Sequence, residues 1–108
     1  MAKIIKGIIA NKGKAVGRAM VVKGSKDFKK FAEGDVLVAR LTDPSYVVVI
    51  IKAAAIVTDL GGITSHPAII AREFNLPCIV GTKNASAVIK SGEIIEVNAN
   101  EGYVKIIK

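Results

Sequence analysis

The longest apolar stretch in the chain runs from Tyr46 to Val57 and is interrupted only by Lys52. It is well short of the roughly 20 apolar residues that a bilayer-spanning helix needs, so we predict no membrane contact. It is also far longer than a typical strand of about five or six residues. The stretch must therefore contain two elements that both contribute to the interior.

The residues that flank and fill this stretch indicate a helix followed by a strand. Asp43 followed by Pro44 is typical of a helix start, because Asp caps the first turn and Pro fits its first position. The β-branched residues 47–51 favour a strand by propensity. A single strand over this stretch would be too long, so we predict a helix over 44–52 followed by a buried strand over 54–58.

Local patterns place the remaining elements in a chain whose length of 108 residues suits one domain, 1–108. β-branched runs on both sides of "NKGK" predict an N-terminal hairpin over 4–10 and 15–22, and 93–98 with 103–107 predict a C-terminal hairpin. The other predicted elements are a strand over 35–40, a helix over 67–74, a short buried strand over 77–81 and a helix over 83–90. The chain is thus predicted to be a compact α/β domain with hairpins at both ends and about three short helices.

The formal charge of +7 is concentrated near the N-terminus. Residues 1–30 carry nine Lys or Arg against Asp27 alone, whereas residues 31–108 carry seven against eight acids. Such an excess is either a solvated surface or an attraction for nucleic acid, phosphorylated ligands or an acidic partner. Scarce aromatic residues, 5% of the chain, argue against nucleic acid because few rings are available for base stacking.

The chain has one cysteine, Cys78, and one histidine, His66. A single cysteine forms no internal disulfide, and we predict that it lies in the core. One His and one Cys do not supply the three or four ligands of the usual transition-metal site, so we predict no metal site. The N-terminal residues lack the pattern of a signal peptide, and we expect a cytoplasmic protein.

The stretch "GGITSHPAIIARE", residues 61–73, surrounds the histidine with groups suited to an anion. Two glycines after a predicted strand let the backbone approach a bulky ligand. Thr64 and Ser65 can cap the following helix or donate hydrogen bonds, while the helix N-terminus offers free amides and a positive dipole end. His66 is therefore predicted to lie at an anion-binding position.

An imidazole in such a position has two chemical roles open to it, besides that of an ordinary capping residue. It can bind a phosphoryl group, or it can attack one and carry it as phosphohistidine. Attack requires a neutral ring nitrogen, which a histidine with an ordinary pKa of about 6.5 offers at neutral pH. The residues alone leave these alternatives open.

The segment "GGITSHPAIIAREFNLPCIVGT", residues 61–82, resembles the signature of the phosphohistidine swivelling domain of phosphoenolpyruvate-utilising enzymes. That family includes phosphoenolpyruvate synthase and pyruvate phosphate dikinase. "GDVLVARLTDPSY", "AAAIVTDLGG" and "SGEIIEVNANEGYVKI" resemble the family's preceding elements and closing hairpin, so the resemblance covers nearly the whole chain. It implies a mobile β/β/α domain that moves between active sites on other domains or subunits.

The resemblance also implies roles for individual residues. His66 would be the catalytic nucleophile that carries the phosphoryl group. Arg72 would either contact phosphate or, the alternative we favour, pair with an acid on the helix, and Pro67 replaces a more usual alanine and removes one amide donor. The remaining matching positions would shape the loop around the phosphoryl group: Gly61, Gly62, Thr64, Ser65 and Gly81.

Partners and cofactors follow from the same resemblance. An ATP-grasp nucleotide-binding domain would phosphorylate the histidine, and a barrel domain would exchange the group with pyruvate or phosphoenolpyruvate, both with Mg2+. The chain alone would bind no cofactor and would be a phosphotransferase component that depends on partner domains, whose acidic surfaces the basic N-terminal segment would contact. The alternative is a non-catalytic binding module for a phosphorylated metabolite or nucleic acid.

Overall fold

Eight strands form one mixed sheet in the computed structural model of the protein, which describes residues 3–108. Their order across the sheet is β1-β8-β7-β3-β4-β5-β6-β2. The central strands β3, β4, β5 and β6 run parallel, and all other pairs are antiparallel. The strands are β1 (Lys3–Lys6), β2 (Ile8–Asn11), β3 (Lys14–Val21), β4 (Val36–Ala39), β5 (Ala55–Thr58), β6 (Cys78–Val80), β7 (Ile94–Asn98) and β8 (Tyr103–Ile106).

Residues 3–108 include three short α-helices, α1 (Val47–Ile50), α2 (His66–Phe74) and α3 (Ala85–Val88). α1 connects the parallel strands β4 and β5, α2 connects β5 and β6, and α3 leads from β6 to the antiparallel strand β7. Two 3-10 helices, Ser25–Lys30 and Pro44–Tyr46, complete the set. The helix predicted over 44–52 is confirmed as a 3-10 turn that leads into α1. Asp43 caps that turn by accepting a hydrogen bond from the Ser45 amide, as the sequence indicated.

The parallel strands bury side chains on both faces. Leu37, Ala39 and Ile56 face a core that α1 and α2 cover. The alternate residues Val38 and Val57 face a second core, which is closed by α3 and by side chains of β7 and β8: Ala85, Ile89, Ile95, Val97, Val104 and Ile106. The result is an antiparallel layer, a parallel layer and a helical layer, which confirms the predicted α/β class and β/β/α arrangement.

The predicted N-terminal hairpin is wrong. β2 and β3 flank the predicted turn but do not pair with each other, because β2 pairs with β6 while β3 pairs with β4 and β7. Other parts of the chain hold the turn instead: Asn11 Nδ2 donates to the Leu76 carbonyl, and the backbone amide of Gly13 donates to Asn100 Oδ1. These long-range bonds replace the cross-strand ladder that the turn sequence suggested. The C-terminal hairpin of β7 and β8 is confirmed.

Gly7 joins the two edges of the sheet. It is the single residue between β1 and β2, which lie at opposite ends of the strand order, so the sheet curls back on itself. A Cβ at this position would lie 2.5 Å from Ile79 Cγ2 and 2.8 Å from the Val80 oxygen. Only glycine permits so close an approach of two strands.

No helix among residues 3–108 combines the length and the apolar character needed to cross a membrane.

Candidate functional site

His66 lies at the carboxyl edge of the parallel strands. Because β4 and β5 are parallel, the segments that follow them leave the sheet at the same edge. Thr42 follows β4, and the loop after β5 leads to His66, the half-buried first residue of α2. This edge is where ligands bind in open α/β sheets.

The ring of His66 is held by a buried hydroxyl. Thr42 Oγ1 lies 2.6 Å from His66 Nδ1, and Thr42 is only 5% exposed. Nε2 has no hydrogen bond to any residue of 3–108, and no buried side-chain nitrogen or oxygen in that range lacks a partner. Nε2 is therefore open to solvent while Nδ1 is occupied.

Sequence reasoning missed Thr42. The available signal was its position just after β4, because β4 and the strand before the histidine, β5, are parallel neighbours. The ends of parallel strands lie at the same edge of a sheet. Recognising it required knowledge that β4 and β5 are adjacent, which the sequence pattern alone did not provide.

The loop before the histidine is tightly folded around two glycines. Gly61 has φ +107°, and a Cβ there would lie 2.7 Å from Ser65 Oγ. Gly81, at the end of β6, has φ +65°, and its Cβ would lie 3.1 Å from the Gly61 oxygen. Side chains at these positions would meet the neighbouring loop as well as strained torsions. The predicted residues Gly61, Gly62, Ser65, His66 and Gly81 are thus brought together in space.

Of the two roles open to the Thr64 and Ser65 hydroxyls, side-chain capping of α2 is not observed among the described residues. Ser65 occupies the N-cap position, but its hydroxyl donates 2.7 Å to the Gly62 oxygen and makes no cap hydrogen bond. The hydroxyl hydrogen is used to tighten the loop, which the Ser65 amide also closes on the same oxygen. Thr64 is exposed beside the histidine.

Arg72 fastens the loop to the sheet. Its guanidinium donates to the Ile63 oxygen at 2.6 Å and to the Ala10 oxygen at 3.1 Å. The structural alternative for Arg72 therefore fits, but the predicted carboxylate partner is replaced by two backbone carbonyls. A guanidinium suits this task because its nitrogens project as a rigid fork.

Pro67 and Cys78 contribute to packing beneath the site. Pro67 lies in the first turn of α2, where its missing amide leaves fewer free donors for an anion. Cys78 is fully buried, with Sγ 3.8 Å from the Pro67 oxygen, which confirms the predicted core position. Burial raises the pKa of the Cys78 thiol to about 12, so it stays protonated at neutral pH.

The remaining features of the site are a carboxylate at Asp43 and the lack of a metal-ligand cluster among residues 3–108. Hydrogen bonds from the Ser45 hydroxyl and amide lower the pKa of Asp43, and the nearby imidazole of His66 adds to this effect. Asp43 is therefore a carboxylate near the histidine. Within residues 3–108, no three His, Cys, Asp or Glu side chains are grouped so that they could hold a metal ion.

Fold and site together define a class of protein: a small β/β/α domain that presents one histidine nitrogen at the mouth of a helix. The family model described as "PEP-utilising enzyme, mobile domain" matches residues 31–102. The probable phosphoenolpyruvate synthase of Staphylothermus marinus is 48% identical over 103 residues, which are 94% of this chain and 12% of that protein. The chain belongs to the mobile-domain family of phosphoenolpyruvate-utilising enzymes and spans about an eighth of the length of this relative.

Solved structures show how widely the fold is used. An NMR solution structure of Enzyme I has a TM-score of 0.63 and 33% identity, and the match covers 73% of this chain and 33% of that one. Aconitase X of Thermococcus kodakaraensis has a TM-score of 0.73 at 21% identity, with 98% and 99% covered. The second likeness shows the fold alone, so function must be inferred from the site.

Proposed function

We propose that this chain is a phosphoryl-carrier domain that is transiently phosphorylated on Nε2 of His66. The observation that carries the proposal is the pairing of Thr42 Oγ1 with Nδ1, which leaves Nε2 open to solvent. A carrier nitrogen must be both oriented and reachable, because it reacts in turn with two different partners. Family membership supports the same function, since the matching model describes the mobile domain of phosphoenolpyruvate-utilising enzymes.

The transfer needs only the imidazole as nucleophile. In the reactive tautomer Nδ1 carries the proton and donates a hydrogen bond to Thr42 Oγ1, so that Nε2 has a free electron pair. That pair forms the N–P bond while the P–O bond to the leaving group breaks, and the leaving oxygen keeps the bonding electrons. Transfer to the acceptor reverses these steps and returns the electron pair to Nε2.

The loop and helix assist through position and charge. The exposed Thr64 hydroxyl and the free amides of the first turn of α2 would donate to the phosphoryl oxygens, and the helix dipole would favour their negative charge. Arg72 would act as a positioning residue, because both of its hydrogen bonds hold backbone rather than point to a ligand.

The partners are proposed from the family. An ATP-grasp domain would supply the phosphoryl group or receive it, and a phosphoenolpyruvate/pyruvate-type barrel domain would carry out the exchange at the other end, each on other parts of the enzyme. ATP or phosphoenolpyruvate and Mg2+ would be bound by those domains. The chain 1–108 would function as one swivelling domain between them.

Phosphoramidate, a small phosphoryl donor, tests the site without any partner. The folded chain should form an acid-labile, base-stable adduct, seen by 31P NMR as Nε2-phosphohistidine only, and faster than the same chain in urea. His66→Ala should form none. An adduct on Nδ1, or equal labelling of the variant, would contradict the proposal.

A second experiment supplies partner domains in trans. The Staphylothermus marinus relative, with alanine at the position that aligns with His66, would be incubated with this chain, Mg2+ and 32P-labelled phosphoenolpyruvate. Label should appear on the wild-type chain and not on His66→Ala. If phosphoenolpyruvate instead shifts the NMR signals of residues 61–66 without any adduct in either experiment, the site is a non-covalent binding module.

A further inference from the structure

The N-terminal basic charge is divided by the fold. Lys14 pairs with Glu96 at 3.0 Å, and Arg18 pairs with Asp35 at 2.6 Å, so these two cations are neutralised within the domain. Lys6 in β1 is paired with Tyr103, Tyr103 with Asn98, and Asn98 with Lys14 across the neighbouring strands. Lys6 therefore lies at the same level of the sheet as Lys14, the first residue of β3. At about 3.3 Å per residue, β3 is roughly 23 Å long. Lys23 and the residues after it lie beyond its carboxyl end, at least that far from Lys14.

Beyond the carboxyl end of β3, several cations collect around a surface depression. Two adjoining cavities of about 410 and 520 Å³ share Lys23 and Ser86 in their walls. Two further cations from outside the N-terminal segment, Arg40 and Lys90, also line the cavities. We call this depression the basic groove, defined by Lys23, Lys26, Lys30, Arg40, Ser86 and Lys90.

The positive charge of the basic groove is only partly compensated by nearby carboxylates. Among residues 3–108, Lys23, Lys26, Arg40 and Lys90 form no ion pair. Asp27 is the one acid in the lining, and it already accepts from the Lys23 amide and lies 3.7 Å from Lys30 Nζ. Apart from Lys30, the cations that define the groove therefore have no ion-pair partner among residues 3–108.

Two hydroxyls add polarity to the groove. Ser86 donates to the buried Asp59 and is fixed in place. The Tyr46 side chain is 7% exposed, yet its hydroxyl has no partner in the described chain, so this oxygen opens into the cavity. A donor beside several cations suits carboxylate oxygens.

Both walls of the basic groove continue into the histidine loop. On one side, the Arg40 oxygen accepts from the Leu60 amide, and Leu41 lies 3.7 Å from the Cβ position of Gly61. On the other side, Ser86 is bonded to Asp59, which leads into that same loop. The groove and His66 therefore occupy the same carboxyl edge of the sheet, joined by residues 59–61.

We propose that the basic groove docks a carboxylate-rich protein segment on a partner domain and thereby aligns His66 with that domain's active site. Charge complementarity argues for an acidic occupant. A protein fits better than a nucleic acid, because the one aromatic ring in the lining is buried and offers no face for stacking. The role in aligning His66 rests on the proposed function, whereas binding of an acidic segment can be measured without it.

An octa-glutamate peptide serves as the probe, with 15N-labelled full-length chain observed by NMR at low and at physiological salt. Amide shifts should map to the basic groove and shrink as salt rises. The double variant Lys23→Glu/Arg40→Glu should bind at least about tenfold more weakly. The control Lys6→Glu/Lys12→Glu makes the same charge change at the far end of β3 and should lose less than about twofold.

The outcomes separate this inference from the proposed function. Equal loss in both double variants would overturn the inference, because net charge would then explain binding. Tighter binding of a single-stranded octanucleotide to the same groove would overturn it in favour of nucleic acid. His66→Ala should leave peptide binding unchanged, and failure of phosphorylation with intact binding would contradict only the carrier proposal. Should Lys23→Glu/Arg40→Glu lose its folded spectrum, Lys26→Glu/Lys90→Glu replaces it.

Discussion

The parallel and antiparallel parts of the sheet differ in how they use their side chains. Every residue of β4, β5 and β6 is buried, because helices cover one face and the antiparallel strands cover the other. In β1 only Ile5 is buried, and in β8 buried residues alternate with half-buried ones. The parallel part is thus a two-sided interior, whereas the antiparallel part is a one-sided layer.

This difference explains where the candidate site lies. Strands that are buried on both faces have no free surface except at their ends, so polar and reactive groups are restricted to the loops at those ends. Thr42, His66 and the basic groove all follow carboxyl ends of parallel strands. The antiparallel strands β7 and β8 close the second core instead, and β2 supports the histidine loop through the Ala10 oxygen that accepts from Arg72.

The largest effect that would test the comparison is a loss of stability. Ile56→Ala, in β5, removes a fully buried side chain and should lower the free energy of unfolding by about 3–5 kcal/mol. Ile4→Ala, in β1, changes a side chain that is 56% exposed and should cost less than about 1 kcal/mol. Urea denaturation measures both. Equal losses would show that the two parts of the sheet are packed alike.

A smaller loss of stability is expected when the loop before His66, which follows the parallel strand β5, is released from Arg72. Arg72→Met removes two hydrogen bonds from a charged donor and should cost about 1–2 kcal/mol. The freed loop should also exchange the Ser65 amide faster in hydrogen-exchange NMR. Lys105→Met, a matched change on β8, should stay within about 0.5 kcal/mol. An unchanged Ser65 exchange rate in Arg72→Met would show that the loop holds its shape without Arg72.

The smallest effect concerns the orientation of the imidazole. Thr42→Val keeps the shape of the side chain but removes the hydrogen bond to Nδ1, so phosphoramidate labelling should slow about threefold to tenfold, or about 0.5–1.5 kcal/mol. An Nδ1 adduct should also appear in the 31P spectrum. Thr42→Ser retains the hydroxyl and should label like the wild type. Unchanged labelling in Thr42→Val would mean that the helix alone orients the ring.

Much of the secondary structure was predictable because its signals are local. The capped start at Asp43 and Pro44, the short helix after the histidine and the C-terminal hairpin all follow from residues close in sequence. The N-terminal hairpin was predicted wrongly for the same reason. The two strands do flank a turn, but β2 pairs with β6 and β3 pairs with β7, which both lie more than sixty residues away, and β3 pairs on its other side with β4.

The sequence by itself determined that an α/β domain would form and that its one histidine would stand at a helix start after a glycine-rich loop. The tertiary structure alone decided that Thr42 would bind Nδ1, that Arg72 would hold carbonyls and that Lys23, Arg40 and Lys90 would share a groove. The physical reason is the distance along the chain over which each kind of interaction acts. Capping, turn torsions and side-chain periodicity act over a few residues, whereas these contacts exist only after parallel strands have aligned their carboxyl ends.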